Sequence, residues 1–144
     1  MIHAVFDTNP LVAAFINPKG YPAQLVSAWR GGEFQIVVSS AIIQEYKRIL
    51  SLPHIREASG RSEAEIDEQI SALAAHAVMV PGALDLRVIA KDPTDDKFFV
   101  AAVEGEADYI ITKEQAWKKL KVYQGIRIVS PSKFYEILKK LKKG

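Results

Sequence analysis

Strands alternating with helices along 144 residues predict an α/β protein with a mainly parallel sheet and helices on both faces. Short apolar β-type runs recur at residues 2–6, 35–38, 77–80, 109–111 and 126–129. The stretches between them carry apolar residues at helical spacing, opened by capping-type residues and several closed by glycine. Nothing resembles a repeat, a low-complexity segment or a linker long enough to divide the chain. Residues 1–144 therefore read as a single domain.

Each element has its own local signal. Residues 2–6 form a buried strand, and Asp7-Thr8-Asn9-Pro10 turns into a helix with Asn9 as N-cap and Pro10 at the first position. A second helix follows Pro22, places Leu25, Val26 and Trp29 on one face, and ends at Gly31-Gly32. After the run 35–38, Ser39-Ser40 starts a helix carrying Ile42, Ile43, Tyr46, Ile49 and Leu50. Ser62 and Glu65 are spaced as a capping box ahead of Ile66, Ile70, Leu73 and Ala74. The run 77–80 closes at Pro81-Gly82, and residues 98–104 are helical with Gly105 as the stop. Ser130-Pro131 opens the last helix, with Phe134, Ile137, Leu138 and Leu141 expected to face inward.

Composition removes several function classes. The chain has no cysteine, which excludes thiolate nucleophiles, disulfide scaffolds and Cys-based zinc sites. The most apolar stretch, residues 70–86, is interrupted by Ser71, His76, Pro81 and Gly82, too broken to span a bilayer. The N-terminus enters a strand at once, without a signal-peptide pattern, so a cytoplasmic location with no membrane partner is expected. Net charge is +2, from 19 Lys+Arg against 17 Asp+Glu, which neither demands nor excludes nucleic acid. Lysines gather toward the C-terminus, where a solvated helix face explains them better than a phosphate-binding patch. No Gly-rich phosphate loop, Gly-x-Ser-x-Gly elbow or close histidine pair is present.

The acids remain. Asp7 ends an apolar strand, where a turn-forming Asp is the ordinary reading. Glu45 lies at the edge of the Ile42–Tyr46–Ile49 stripe, while Gln44 and Arg48 fall on the opposite side; outward snorkelling is the structural alternative. In Asp92-Pro93-Thr94-Asp95-Asp96-Lys97 three acids crowd a helix start, which suits the helix dipole. Asp95 shares a face with Phe99 and Ala102 and should point inward, whereas Asp96 should sit on a flank as a favourable first-turn charge. Glu114 follows Thr112 at the end of the fourth strand. Every one of these acids is near a strand end or a helix start, so all can converge at the carboxyl edge of the sheet, where such folds build sites. Two carboxylates about 4 Å apart repel by roughly 4 kcal/mol at an effective dielectric near 20. A cluster offering only oxygen ligands thus calls for protons or a hard cation such as Mg²⁺ or Mn²⁺.

Four segments in order resemble the motifs of PIN domains: Val5-Phe6-Asp7-Thr8-Asn9, Ser39 with Ile42-Ile43-Gln44-Glu45-Tyr46, Asp92-Pro93-Thr94-Asp95-Asp96-Lys97-Phe98, and Ala107-Asp108-Tyr109-Ile110-Ile111-Thr112. The similarity is strongest to toxin components of toxin–antitoxin pairs. It implies a three-layer α/β/α sandwich acting as a Mg²⁺- or Mn²⁺-dependent endoribonuclease on RNA. By the same resemblance, Asp7, Glu45 and Asp95 match the catalytic and metal-binding acids, and Glu114 the further metal-binding position, where the family usually has Asp. Thr8 or Asn9 matches the residue that steadies the first Asp, Asp92 matches an acid common in this subgroup, and Thr112 matches the Thr before the fourth acid. Lys97 and Lys113 are candidates for phosphate contact. An antitoxin protein and a second copy of the chain are the implied protein partners.

Two other phosphoryl enzymes share parts of the pattern. A haloacid-dehalogenase phosphatase would need an acid where Asn9 stands, and a phosphoreceiver domain would need an acid pair after the first strand. The remaining alternative is a PIN-like module that binds RNA or protein without cutting, a reading favoured only by Glu114.

Overall fold

The computed structural model describes residues 1–89 and 92–143. Its strands are β1 (His3–Phe6), β2 (Gln35–Val38), β3 (Val78–Met79), β4 (Tyr109–Ile111), β5 (Val122–Tyr123) and β6 (Ile126–Val129). The helices are α1 (Thr8–Ile16), α2 (Tyr21–Arg30), α3 (Ser40–Leu50), α4 (Pro53–Ser59), α5 (Glu63–His76), α6 (Asp96–Glu104), α7 (Gln115–Lys118) and α8 (Pro131–Lys143). A 3₁₀ turn, Pro93–Asp95, leads into α6.

The strands lie in the order β3-β2-β1-β4-β6-β5. All neighbouring pairs are parallel except β5–β6. The chain moves outward from β1 through β2 to β3, then returns to the other side of β1 to form β4. That reversal creates a switch point between β1 and β4, whose carboxyl ends are held level by the pairs Val5↔Ile110 and Phe6↔Ile111. A cleft at this position is a geometric consequence of the strand order. The result is an α/β/α arrangement with a mainly parallel sheet, as the sequence predicts.

One helical layer is linked through α1 with α2 and α3, α2 with α8, and α3 with α5; α6 lies across β1, β2 and β4. Aromatic side chains mark both layers. Phe34 stacks on Phe6 with ring centres 6.2 Å apart and meets Phe134 of α8 edge-on at 5.0 Å. Trp117 of α7 meets Phe98 and Phe99 of α6 at 5.7 and 5.3 Å. Gly105 lets the end of α6 press against β2: a Cβ there would stand 2.6 Å from Val37 Cγ1.

Several local expectations shift. Asp7, not Asn9, caps α1, accepting the Thr8 amide at 2.8 Å, so the helix begins before Pro10. The Ser62–Glu65 capping box forms as expected at the start of α5. Leu141 is exposed rather than inward, since the buried face of α8 ends at Leu138. Helix α4 buries no residue, α7 is a single turn and the edge strand β5 has two residues, so none carries a clear hydrophobic pattern and the sequence reading leaves them out. Among the described residues, no helix is long and apolar enough to cross a membrane.

Candidate active site

Asp7 sits one residue past β1, and backbone pairing fixes it there: its amide donates to the Ile111 carbonyl at 3.0 Å. Both of its carboxylate oxygens are used. Oδ1 accepts the Thr8 amide and Oδ2 accepts the Thr112 hydroxyl, each at 2.8 Å. Thr112 is fully buried, and its Oγ1 in turn accepts the Glu114 amide at 2.9 Å. The end of β4 therefore orients the acid at the end of β1 through one hydroxyl.

Glu45 reaches the same place from α3. The next residue, Tyr46, is fully buried and donates its hydroxyl to the Phe6 carbonyl at 2.5 Å, which pins α3 to the last residue of β1. Glu45 Oε2 accepts the Thr8 hydroxyl, and Oε1 lies 2.5 Å from Lys97 Nζ. Asp92 caps the 3₁₀ turn through the Thr94 amide and hydroxyl, at 3.1 and 2.5 Å. These bonds hold its carboxyl below the usual range, and they are what a structural cap provides. Asp95 precedes α6 without a side-chain capping bond.

Asp7, Glu45, Asp92, Asp95 and Glu114 all line one open cleft of about 220 Å³, walled by Trp117. Burial pushes the Asp7 carboxyl up to about 6, against the hydrogen bonds from Thr112 and Thr8, with Asp95 and Glu114 adding repulsion. Asp95 also rises to about 6, first through desolvation and then through the charges of Asp92 and Glu45. Carboxyls raised this far by burial and one another are what a cation-binding or proton-handling site contains. Among the described residues, no three acids converge closely enough to chelate an ion as they stand. Glu45 is instead drawn to Lys97 and Thr8.

Asp96 is the clear correction. It is buried, and its Oδ1 accepts the amides of Val88 and Ile89 at 3.0 and 2.7 Å. Its carboxylate ties the segment after β3 to α6, so it is not a mere first-turn charge on a flank. Glu104, at the far end of α6, does the same with the amides of Gly82, Ala83 and Leu84. Neither contact has a local sequence signal, because both join residues far from helical spacing.

The remaining candidates divide. Thr8 and Thr112 join the acids, while Asn9 is exposed at the cleft wall and the bonds to Asp7 come from Thr8 and Thr112. Lys97 is engaged by Glu45. Lys113 lines a different cavity, between the starts of α2 and α8. The lysines at the end of α8 lie toward the opposite edge of the sheet, since α8 runs back from the carboxyl edge; Lys142 pairs with Glu33, which precedes β2, at 3.1 Å. Arg48 is a second correction: the sequence reading sets it with Gln44 on the side opposite Glu45, whereas the structure puts it beside Glu45. It lies one turn beyond Glu45 on α3, lines the acidic cleft, and makes no ion pair among the described residues. Its spacing from Glu45 is the signal that could have found it.

The model of the PIN domain family matches residues 3–116. The chain belongs to the PIN-domain family. All five cleft acids of this PIN domain fall inside the matched span. Among solved structures, it is similar to a chain of VapBC2 from Rickettsia felis, solved bound to a DNA fragment from their promoter. The two are 10% identical with a TM-score of 0.58, over 90% of this chain and 98% of that one. At that identity the likeness is one of fold. No curated protein matches the sequence.

Proposed function

We propose that this PIN domain is a Mg²⁺- or Mn²⁺-dependent endoribonuclease and the toxin component of a toxin–antitoxin pair. PIN domains are generally nucleases, which supports hydrolysis of nucleic acid as the broad activity. The observation that carries the finer reading is the acidic cleft itself, where two carboxyls at about 6 stand with three further acids at the carboxyl edge of the sheet. The donor set fits a hard divalent cation: all oxygen, anionic, and electrostatically strained without one. Asp7, Asp95, Glu45 and Glu114 are the residues that would hold it. When bound, such a cation supplies neutralisation of phosphate charge and activation of water.

The chain's own groups account for the rest. Thr112 and the Thr8 amide fix the orientation of Asp7, and Tyr46 fixes the reach of Glu45. Arg48 at the rim offers a planar guanidinium to a phosphate oxygen of the incoming backbone. Trp117 closes one side against solvent. Hydrolysis needs no protein nucleophile: the water oxygen would bond to phosphorus as the bond to the leaving ribose oxygen breaks, with the water's proton passing to that oxygen. The cleft hydroxyls of Thr8 and Thr94 are engaged by Glu45 and Asp92.

The test is cleavage of RNA by the purified chain with Mn²⁺ or Mg²⁺, repeated in EDTA. Metal-dependent internal cleavage is expected, and full activity in EDTA overturns the reading. RNA binding without cleavage in either buffer identifies a non-catalytic module instead. The toxin assignment implies a separate antitoxin chain, whose co-expression should suppress cleavage and relieve growth arrest. Light scattering on the purified protein checks for the homodimer.

A further inference from the structure

Two cations stand at the acidic cleft, and they are placed differently. Arg48 lines the rim without an ion pair among the described residues. Lys97 is committed: its Nζ lies 2.5 Å from Glu45 Oε1, with the two side chains only 21% and 14% exposed. The ammonium also lies 5.6 Å from the centre of the Phe98 ring, which fixes its approach from the α6 side. Glu45's other oxygen accepts the Thr8 hydroxyl. Both oxygens of this carboxylate are therefore held by protein groups, and the acids do not yet converge on a common point. Lys97 has somewhere to go. It borders a second cavity of about 460 Å³, which Ser39, Arg87 and Asp96 also line.

We propose that Lys97 is the built-in counter-cation of the cleft, and that a divalent cation enters by displacing its ammonium from Glu45 toward the neighbouring cavity. The inference rests on the metal-dependent reading above and adds the step by which the ligand set is completed. An ammonium and a divalent ion sharing one small carboxylate repel each other, so binding of one weakens the other. Lys97 then has two roles: it holds Glu45 in place before the metal arrives, and it sets the threshold for metal entry. It is a positioning residue. A merely structural ion pair would behave otherwise, since its removal would leave Glu45 unanchored and metal binding unchanged or weaker.

The experiment is titration calorimetry with Mn²⁺ alone at neutral pH, on the wild type, Lys97→Met and Lys97→Arg. Methionine keeps the apolar stem beside Phe98 and removes the charge, whereas arginine keeps the charge. Lys97→Met should bind Mn²⁺ about tenfold more tightly, equivalent to about 1.4 kcal/mol, with Lys97→Arg close to wild type. Equal or weaker binding by Lys97→Met overturns the inference while leaving the ribonuclease reading intact. No Mn²⁺ binding by the wild type overturns both. If Lys97→Met does not fold, the wild type decides the question through reductive methylation followed by peptide mass spectrometry. Lys97 should be modified several-fold faster with Mg²⁺ present than in EDTA, with exposed Lys139 as the unchanged reference. A rate at Lys97 indifferent to Mg²⁺ overturns the inference.

Discussion

Replacing Asp7 by Asn should make the protein more stable at neutral pH and less stable in acid, and the crossing of the two curves tests the electrostatics of the cleft. The Asp7 carboxyl is raised from 3.8 to about 6, chiefly by burial. A raised acid binds its proton more tightly in the folded state, so its stabilising contribution is full below about pH 4 and lost as pH rises through about 6. The shift is worth about 3 kcal/mol once Asp7 is ionised. Asn removes that cost but disturbs one bond. Its Oδ1 can still accept the Thr8 amide, while its NH₂ meets a Thr112 oxygen that already accepts from Glu114. The Thr112 hydroxyl thereby loses its acceptor, a loss of about 1 kcal/mol. The variant should therefore gain about 2 kcal/mol at pH 8 and lose about 1 kcal/mol at pH 4. At roughly 3 °C per kcal/mol, the gain corresponds to a melting temperature about 6 °C higher at pH 8. Thermal unfolding by circular dichroism in EDTA, from pH 4 to 8, measures both ends. Parallel curves, with no change in the difference between the proteins, would refute the assignment of Asp7 as a buried, strained carboxylate.

Other expectations follow from the same geometry. Mn²⁺ at a hundredfold excess over its dissociation constant should stabilise the wild type by about 2.7 kcal/mol and leave Asp7→Asn unmoved; equal melting shifts would remove Asp7 from the ligand set. Asp95→Asn should lose nearly all RNA cleavage while keeping its circular dichroism spectrum, and an active variant would exclude a direct role. Asp96→Ala strands the amides of Val88 and Ile89 and should cost about 2–3 kcal/mol by urea unfolding; a cost under about 0.5 kcal/mol would contradict the observed bonds. Arg48→Ala should raise KM for RNA with kcat little changed, because a rim cation binds substrate rather than distinguishing the transition state. A selective fall in kcat would move Arg48 into the reaction itself.

The fold was legible because its period signals are strong and its strand–helix order is simple. The runs before Asp7, Ser39 and Thr112 are uninterrupted apolar strands buried on both sides, the pattern a central parallel strand must show. Asp7, Glu45 and Asp95, which the structure brings to one cleft, stand out in the sequence for a related reason, since each is placed where local burial has no use for a charge. Asp96 was misjudged by the same logic. Helical geometry places it on a flank, but the segment carrying Val88 and Ile89 covers that flank and brings two amides that need an acceptor. Covering by a distant loop leaves no period in the sequence. The sequence offers Lys97 as a phosphate contact but not as the partner of Glu45, because Glu45 lies on another helix and pairing across elements has no fixed spacing.

The cleft and the start of α6 beside it combine two kinds of acid, which differ in how far a cation would relieve them. Asp92 and Asp96 each accept two hydrogen bonds on one carboxylate oxygen, from backbone amides and a hydroxyl, and so anchor chain segments. Asp7 and Asp95 are held at a cost, each with its proton affinity raised by burial and by neighbouring carboxylates. A sequence selected for stability alone would neutralise such positions, as Asn at residue 7 is expected to do. The surroundings relieve that strain only in part, since the hydrogen bonds from Thr112 and Thr8 favour the charged carboxylate that burial disfavours. Thr112 is fully buried to orient Asp7 without discharging it, and Tyr46 uses a buried hydroxyl to bring Glu45 beside it. Strain concentrated in a few carboxylates on a rigid sheet edge is energy that only an incoming cation or proton can release. The hydrogen-bonded acids therefore hold the frame still, and the strained ones would supply the driving force for the proposed cation.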